Sequence, residues 1–330
     1  MALEPILDYI GGFPASHPYI FLIAIIVASF IIMVKSADML VFGIDRYAKK
    51  EGLSDFLIGL LIVSFTASTP ELVSSITGLF AGDNGIVFGT ILGSNITGLT
   101  LVLGIYALVG RKLKLYNKVL AKMEVIIFFL IVVPFFLGAD GELSRYDGMA
   151  LIAVYLSYVV FVWIKEAKAG KMKKDVKLRF IWKDALIFLL ALFALFLSSR
   201  WLVFSSITAA NLLKIPTFLM AIIVLGIASS LPDLLVGIRA ILAGDVGIGV
   251  GNSLGSIIVK AIFFFGLLSV IRPLPVDLNG LAVTIGATLL SLSFILYLSE
   301  RQEMDWKHGL MLLFIYISYI LAETFKSVLL

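Results

Sequence analysis

The chain has no cysteine, which excludes disulfides, thiolate nucleophiles and cysteine-ligated metals together. Histidine is nearly as scarce. His17 lies ahead of the first long apolar run and His308 at the very edge of the last, so imidazole metal ligation or a catalytic triad deep within those runs has no candidate, and both histidines read as surface or interface residues. Charge is thin as well: 15% of residues are charged and 61% hydrophobic, whereas soluble domains carry about 25% charged residues. With a mean hydropathy of +1.09, the chain reads as an all-α polytopic membrane protein. Residues Met1 to Pro18 include Glu4 and Asp8 and lack a basic segment ahead of a short apolar core, so no cleavable signal peptide is expected. The net charge of +4 resides in short loops between apolar runs, which points to membrane topology and not to nucleic-acid binding.

Runs of about 20 apolar residues fall near 19–43, 55–80, 84–109, 118–138, 146–165, 182–205, 216–242, 246–271, 278–298 and 308–328. They predict about ten transmembrane helices. Lys35 and Asp38 lie inside the first run, where they are expected to pair, snorkel or sit near the membrane surface. Arg46, Lys49 and Lys50, then Arg111 to Lys122, then Lys165 to Lys183 place basic residues in alternate loops; those loops should be cytoplasmic, with both termini outside the cell. The longest connection, 165–183, reads as a solvated basic loop in preference to a lipid contact. It separates a first transmembrane repeat, 1–164, from a second, 184–330. An odd number of spans per half makes the halves enter the membrane in opposite senses, as two inverted-topology five-helix repeats.

Within the second run, Ser64-Phe-Thr-Ala-Ser-Thr-Pro-Glu71 forms a polar island. A carboxylate at that depth costs roughly 3 kcal/mol on insertion scales and marks a functional site. Ser64, Ser68, Glu71 and Ser75 share one helical stripe, and Pro70 has no N–H to give the carbonyl of Thr66. The island recurs as Gly226-Ile-Ala-Ser-Ser-Leu-Pro-Asp233, an offset of about 162 residues that extends well beyond it. Gly85, Gly89, Gly93 and Ser94 match Gly247, Gly251, Gly255 and Ser256. The glycines, four residues apart, read as a helix-packing face. Beside them, Ser94, Asn95 and Thr97 in one repeat and Asn252, Ser256 and Lys260 in the other form polar stripes expected to face the carboxylates. Two intramembrane carboxylates ringed by hydroxyls and freed carbonyls offer hard oxygen ligands suited to Na⁺, Ca²⁺ or H⁺.

These segments, Gly59-Leu-Leu-Ile-Val-Ser-Phe-Thr-Ala-Ser-Thr-Pro-Glu71 and Gly93-Ser-Asn-Ile96 with their echoes Ala228 to Asp233 and Gly251 to Ser256, resemble the two alpha repeats of the sodium/calcium exchangers of the cation/Ca²⁺ antiporter superfamily, here spanning 59–98 and 221–260. The resemblance implies a secondary active antiporter exchanging Ca²⁺ for Na⁺ or H⁺ by alternating access in a multi-pass cell-membrane protein. Its partners would be inorganic cations and the lipid bilayer, with no cofactor and no enzymatic activity. It implies Glu71 and Asp233 as central cation ligands, side-chain oxygens from Ser68, Ser229, Ser230, Ser94 and Ser256, and backbone carbonyls from Ser64 and Gly226, with Asn95 and Asn252 supporting them. The first and sixth spans would slide as gating helices.

The chain departs from the family pattern at Ala67, Asp233, Gly98, Ile257 and Lys260. Lys260 stands one helical turn beyond Ser256, near mid-membrane, where an ammonium would pair with Asp233 or Glu71 and reduce the site's charge from about −2 to −1. Three consequences are open. The lysine replaces a bound cation in a monovalent cation/proton antiporter or other non-calcium transporter, turns away so that Ca²⁺ exchange survives, or goes with loss or change of ion-coupled transport altogether. A membrane hydrolase using the two acids would also want a reachable water and a substrate groove, a channel would need a continuous pore, and a purely structural scaffold would tolerate loss of the Glu71 charge.

Overall fold

The computed structural model describes residues 18–51, 58–82, 84–114, 124–168, 181–212, 226–301 and 303–329. His17, the start of the seventh run and most of the basic 165–183 loop lie outside them. The described chain is mostly helical. Helix α1 spans Pro18–Glu51; a π-helical segment, Ile58–Val63, and one α-turn, Ser64–Ala67, lead into α2, Thr69–Ala81. Helix α3, Asn84–Thr97, passes through a π-helical segment, Gly98–Val102, into α4, Leu103–Gly110. Strand β1 is Lys112–Lys114, α5 is Glu124–Leu137, β2 is Glu142–Leu143 and α6 is Arg145–Lys168. Then follow α7, Ile181–Leu212, and α8, Gly226–Leu242; α9, Val246–Ile258, passes through a π-helical segment, Val259–Phe264, into α10, Phe265–Ile271. Strand β3 is Leu274–Pro275, α11 is Ala282–Glu300, β4 is Glu303–Asp305 and α12 is Trp306–Leu329.

Among the described residues, four helical stretches are long and apolar enough to cross a membrane by length and composition: Asn84–Gly110, Arg145–Lys165, Val246–Ile271 and Trp306–Lys326. Shorter apolar helices occupy Ile20–Ser36, Ile126–Asp140, Leu186–Ser198 and Ala282–Leu298.

Equivalent positions of the two halves do equivalent work. Gly82 and Gly244, matched in the repeat, both take positive φ, 74° and 92°, a conformation that glycine adopts without a Cβ penalty as the preceding helix ends. Strand β1 pairs antiparallel with β4 and β2 with β3. The registers correspond too: Lys112 opposite Asp305 has its counterpart in Leu274 opposite Leu143, and Leu113 opposite Met304 in Pro275 opposite Glu142. Each ribbon therefore joins one half to the other. Helix contacts are exchanged in the same way. A Cβ on Gly104 would lie 3.0 Å from the Gly309 carbonyl oxygen, and one on Gly266, the counterpart of Gly104, 3.0 Å from the Gly148 carbonyl oxygen. Backbones this close are the means by which small residues hold apolar helices together without a hydrophobic driving force.

Helices α1 and α7 pack side by side, burying Met33 against Ala191, Leu192 and Leu195. Ser36 and Ser198, again matched, turn their hydroxyls onto the carbonyls four residues back, at 2.8 and 2.7 Å. The charged pair inside the first run is resolved differently for its two members: Asp38 accepts an ion pair from Arg239 of α8 at 2.9 Å, and Lys35 is exposed. At the other end of the chain Asp305 caps α12, its Oδ1 accepting the N–H groups of Lys307 and His308 at 3.0 and 3.1 Å.

Candidate cation site

The proline motifs take two local forms. In the first, the helix is interrupted at Ser68 and Pro70 falls in the opening turn of α2, where its missing N–H costs nothing. In the second, α8 runs through Pro232 without a break, so the two matched prolines coincide with a helix interruption on one side only. A proline within an apolar helix is tolerated when neighbouring helices satisfy the carbonyls around it, and α8 has such neighbours in α3, α4 and α9.

Glu71 and Asp233 are buried to 1% and 2% exposure. Lys260, fully buried in the second half's π-helical segment, lies between them, with Nζ 3.6 Å from Glu71 Oε1 and 3.8 Å from Asp233 Oδ2. A buried ion costs several kcal/mol to desolvate unless it is paired, and here each of the three charges depends on the others. The lysine thus faces the two carboxylates and is not turned away from them.

Asp233 is further held by its own half. Asn252 Nδ2 donates to Oδ1 at 3.1 Å and Ser256 Oγ to Oδ2 at 2.7 Å. A third partner crosses from the other half, for the Tyr106 hydroxyl of α4 donates to the Asp233 backbone carbonyl at 2.5 Å. Tyr106 is completely buried, and its ring end occupies the space a Cβ on Gly237 would need. Sequence reasoning missed Tyr106; the signal for it was Gly237 standing where the first half has Ser75.

Glu71 is treated otherwise, since neither of its carboxylate oxygens accepts a hydrogen bond. The hydroxyls of Ser68, Ser75 and Thr90 and Oδ1 of Asn95 are likewise buried without a hydrogen-bond partner. Several expected ligands are engaged within their own helices. Ser64 Oγ donates to the Leu60 carbonyl at 2.5 Å and Ser94 Oγ to that of Ile91 at 3.2 Å. Ser229 and Ser230 donate to the Gly226 carbonyl at 3.4 and 2.7 Å, and the Ser64 carbonyl accepts the Ser68 N–H at 3.1 Å. No cluster of three or more His, Cys, Asp or Glu side chains able to hold a metal occurs among the described residues. What the arrangement offers chemically is a buried cluster of two carboxylates, one ammonium and several oxygen ligands.

Comparison with known proteins identifies the family and the fold. The sequence profile of the family described as sodium/calcium exchanger protein matches residues 21–164 and 183–325, a stretch of each half. The inner membrane protein YrbG of Escherichia coli is 28% identical over 269 residues, covering 77% of this chain and 81% of its own. The sodium/calcium exchanger MaX1 of Methanosarcina acetivorans is 26% identical, covering 90% of this chain and 97% of its own. A solved structure of the sodium-calcium exchanger NCX_Mj superposes with a TM-score of 0.80 at 22% identity, over 91% of this chain and 98% of that one, and so shares the fold.

Proposed function

The chain belongs to the sodium/calcium exchanger protein family, and from that premise we propose that it is a secondary active cation antiporter, exchanging Ca²⁺ for Na⁺ or H⁺ by alternating access around Glu71 and Asp233. The observation that carries the reading is the burial of these two repeat-matched carboxylates about one shared ammonium. In an apolar helix bundle such charges persist for function, because a packing role is filled at less cost by apolar side chains. About ten spans in two inverted five-helix repeats would put the site at the bilayer midplane, where such transporters bind substrate. The exchanged ribbons and glycine contacts support that architecture, because a two-fold axis relating the halves would map each onto its counterpart. Helices α1 and α7, packed on each other, would be the sliding pair, and both termini would lie outside the cell.

A second reading is favoured by the position of Lys260. An ammonium within 4 Å of both carboxylates occupies cation space, which suits a monovalent cation/proton antiporter. Proteoliposome uptake tests the common mechanism: radioactive Ca²⁺ and Na⁺ are each offered under opposing Na⁺ or H⁺ gradients. Wild-type protein should accumulate at least one cation against its gradient, and Glu71→Gln should not. Equal uptake by the two would refute the antiporter site.

A further inference from the structure

The two halves of the site are built from matching positions, most of which carry different residues or turn them differently. Both Asp233 carboxylate oxygens accept hydrogen bonds, from Asn252 and Ser256, while those of Glu71 accept none; Lys260 is at ion-pair distance from both acids, 3.6 Å from Glu71 and 3.8 Å from Asp233. The position matching Asn252 is Thr90, whose hydroxyl is buried and makes no hydrogen bond. The position matching Ser256 is Ser94, which turns to the Ile91 carbonyl. Gly237, which admits the Tyr106 ring, is matched by Ser75, another buried hydroxyl without a partner; Tyr106 itself is matched by Leu268. Lys260 is matched by Gly98, which brings no charge at all.

The result is a saturated half and an open half. Ser68, Glu71 and Ser75 stand three and four residues apart along one stripe of α2. Thr90 and Asn95 belong to α3, which packs directly on α2. All five are at most 2% exposed, and each has an oxygen that makes no hydrogen bond. On the Asp233 side the unpartnered atoms are Asn252 Oδ1 and the shared Lys260 Nζ alone. Buried polar oxygens without partners are rare in proteins and call for a ligand. One carboxylate with three hydroxyls and an amide oxygen is a hard-oxygen set suited to an alkali or alkaline-earth cation. Charge selects between these. Two carboxylates and one ammonium leave the site at −1, which one monovalent cation neutralises; a divalent ion would leave an excess positive charge in a low-dielectric interior.

Resting on the antiporter reading in its monovalent form, we infer that the substrate seat is the Glu71 half alone, formed by Ser68, Glu71, Ser75, Thr90 and Asn95 and taking one monovalent cation of sodium's size. Lys260 is a tethered cation standing between the two acids in place of a second ion. Asp233, held by Ser256 and Asn252, is then the lysine's fixed counter-ion and not a substrate ligand.

Equilibrium binding of ²²Na⁺ and ⁴⁵Ca²⁺ to the purified full-length protein tests the assignment. Loss of one oxygen ligand worth about 1.4 kcal/mol weakens binding about tenfold. Ser75→Ala and Thr90→Val should each weaken Na⁺ binding by about that factor, Thr90→Ser should restore it, and Ser256→Ala should cost less than about threefold. Lys260→Met, which returns the site to −2, should raise Ca²⁺ affinity at least about tenfold over wild type. Monodisperse elution of each variant keeps misfolding from passing as lost binding. The assignment is overturned if wild type binds no Na⁺, if Ser256→Ala costs as much as Thr90→Val, or if Lys260→Met gains no Ca²⁺ affinity. Those results leave the antiporter reading standing so long as Glu71→Gln abolishes exchange. Exchange that survives Glu71→Gln brings down the antiporter reading itself.

Discussion

Placing a methyl group on Gly237 should break the contact that ties the two halves together at the site. The Cβ of an alanine there would fall 1.9 Å from the Tyr106 hydroxyl oxygen, 2.0 Å from Cζ and 2.6 Å from Cε1. These distances are far inside van der Waals contact, and the obstacle is a rigid ring end enclosed on all sides. Tyr106 must leave, giving up its hydrogen bond to the Asp233 carbonyl. Overpacking costs about 1–3 kcal/mol and a buried hydroxyl left unpaired about 1–3 more, so Gly237→Ala should destabilise by about 2–6 kcal/mol. At roughly 2 °C per kcal/mol for a chain of this size the thermal midpoint falls by about 4–12 °C. The matching pair in the first half, Ser75 with Leu268, suggests the remedy. In Gly237→Ser/Tyr106→Leu the smaller side chain vacates the space the serine needs, so the double variant should be no less stable than Tyr106→Leu alone. That is a coupling of about 2 kcal/mol, within the range for residues in contact. Thermal denaturation in detergent, followed by loss of the monodisperse peak, measures all four corners of the cycle. A Gly237→Ala midpoint within 1 °C of wild type, roughly the scatter of surface substitutions, or strict additivity in the double variant, would refute the reasoning.

Three further outcomes follow from contacts away from the site. Asp38→Asn and Arg239→Gln should each alter the exchange rate by releasing α1 from α8, and the charge-reversed double variant Asp38→Arg/Arg239→Asp should return it toward wild type; unchanged rates in both singles would show that the 2.9 Å pair does not tie the moving helix to its neighbour. Asp305 is held below its ordinary value of 3.8, chiefly by the His308 backbone N–H. A carboxyl depressed on folding stabilises fully above its unfolded value and loses that contribution as pH falls through the lower folded value, so Asp305→Ala should lower the thermal midpoint at pH 7 and the gap should close at acid pH below 3.8; a gap that widens on acidification contradicts the cap. Glu323, fully buried, accepts the Thr284 hydroxyl at 2.7 Å and lies 3.8 Å from the Lys326 ammonium, which also donates to the Gly280 carbonyl. Lys326→Met should cost about 1–3 kcal/mol, after allowance for the partly exposed ammonium, and adding Glu323→Gln should recover most of it; equal melting of Lys326→Met and wild type would show that the carboxylate is not carried by the lysine.

What the sequence revealed of the site was what periodicity and duplication carry. Glu71 and Asp233 stood out because charge in an apolar run is costly, and Asn252, Ser256 and Lys260 fell on one stripe by their four-residue spacing. The cross-half partner was hidden for a physical reason: Tyr106 lies 127 residues from Asp233 in an apolar run where tyrosine is unremarkable, and only the Gly237–Ser75 mismatch hints at it. Hydrogen-bond direction was hidden also. Ser64, Ser94, Ser229 and Ser230 all sit in the motifs, yet their hydroxyls turn onto their own helices, a local choice open to any serine in an apolar helix. The π-helical segments at Gly98–Val102 and Val259–Phe264 left no trace in the apolar pattern, because a run that is apolar all round looks the same at either pitch. The two ribbons, two and three residues long, are too short for any alternation to show.

Duplication makes two copies alike, and selection keeps alike only what must remain so. The ribbon registers and the helix-ending glycines are matched position for position and the exchanged glycine contacts to within one residue, and all of them belong to the frame. For an alternating-access carrier this is the expected division: if the two halves exchange conformations to turn the molecule from one side to the other, a symmetric frame makes the two states near-equal in energy. Side chains at the centre have no such duty. There the copies diverge at most contacting pairs, Lys260 against Gly98, Asn252 against Thr90, Tyr106 against Leu268 and Gly237 against Ser75, Ser256 and Ser94 alone keeping the same residue among them. A cation that binds and leaves must find oxygens free to rearrange, while a permanent lysine needs a counter-ion held still. The divergence supplies one of each, with Asp233 fixed by hydrogen bonds from Tyr106, Asn252 and Ser256 and Glu71 left, beside the lysine that the two acids share, with hydroxyls that bond to nothing else.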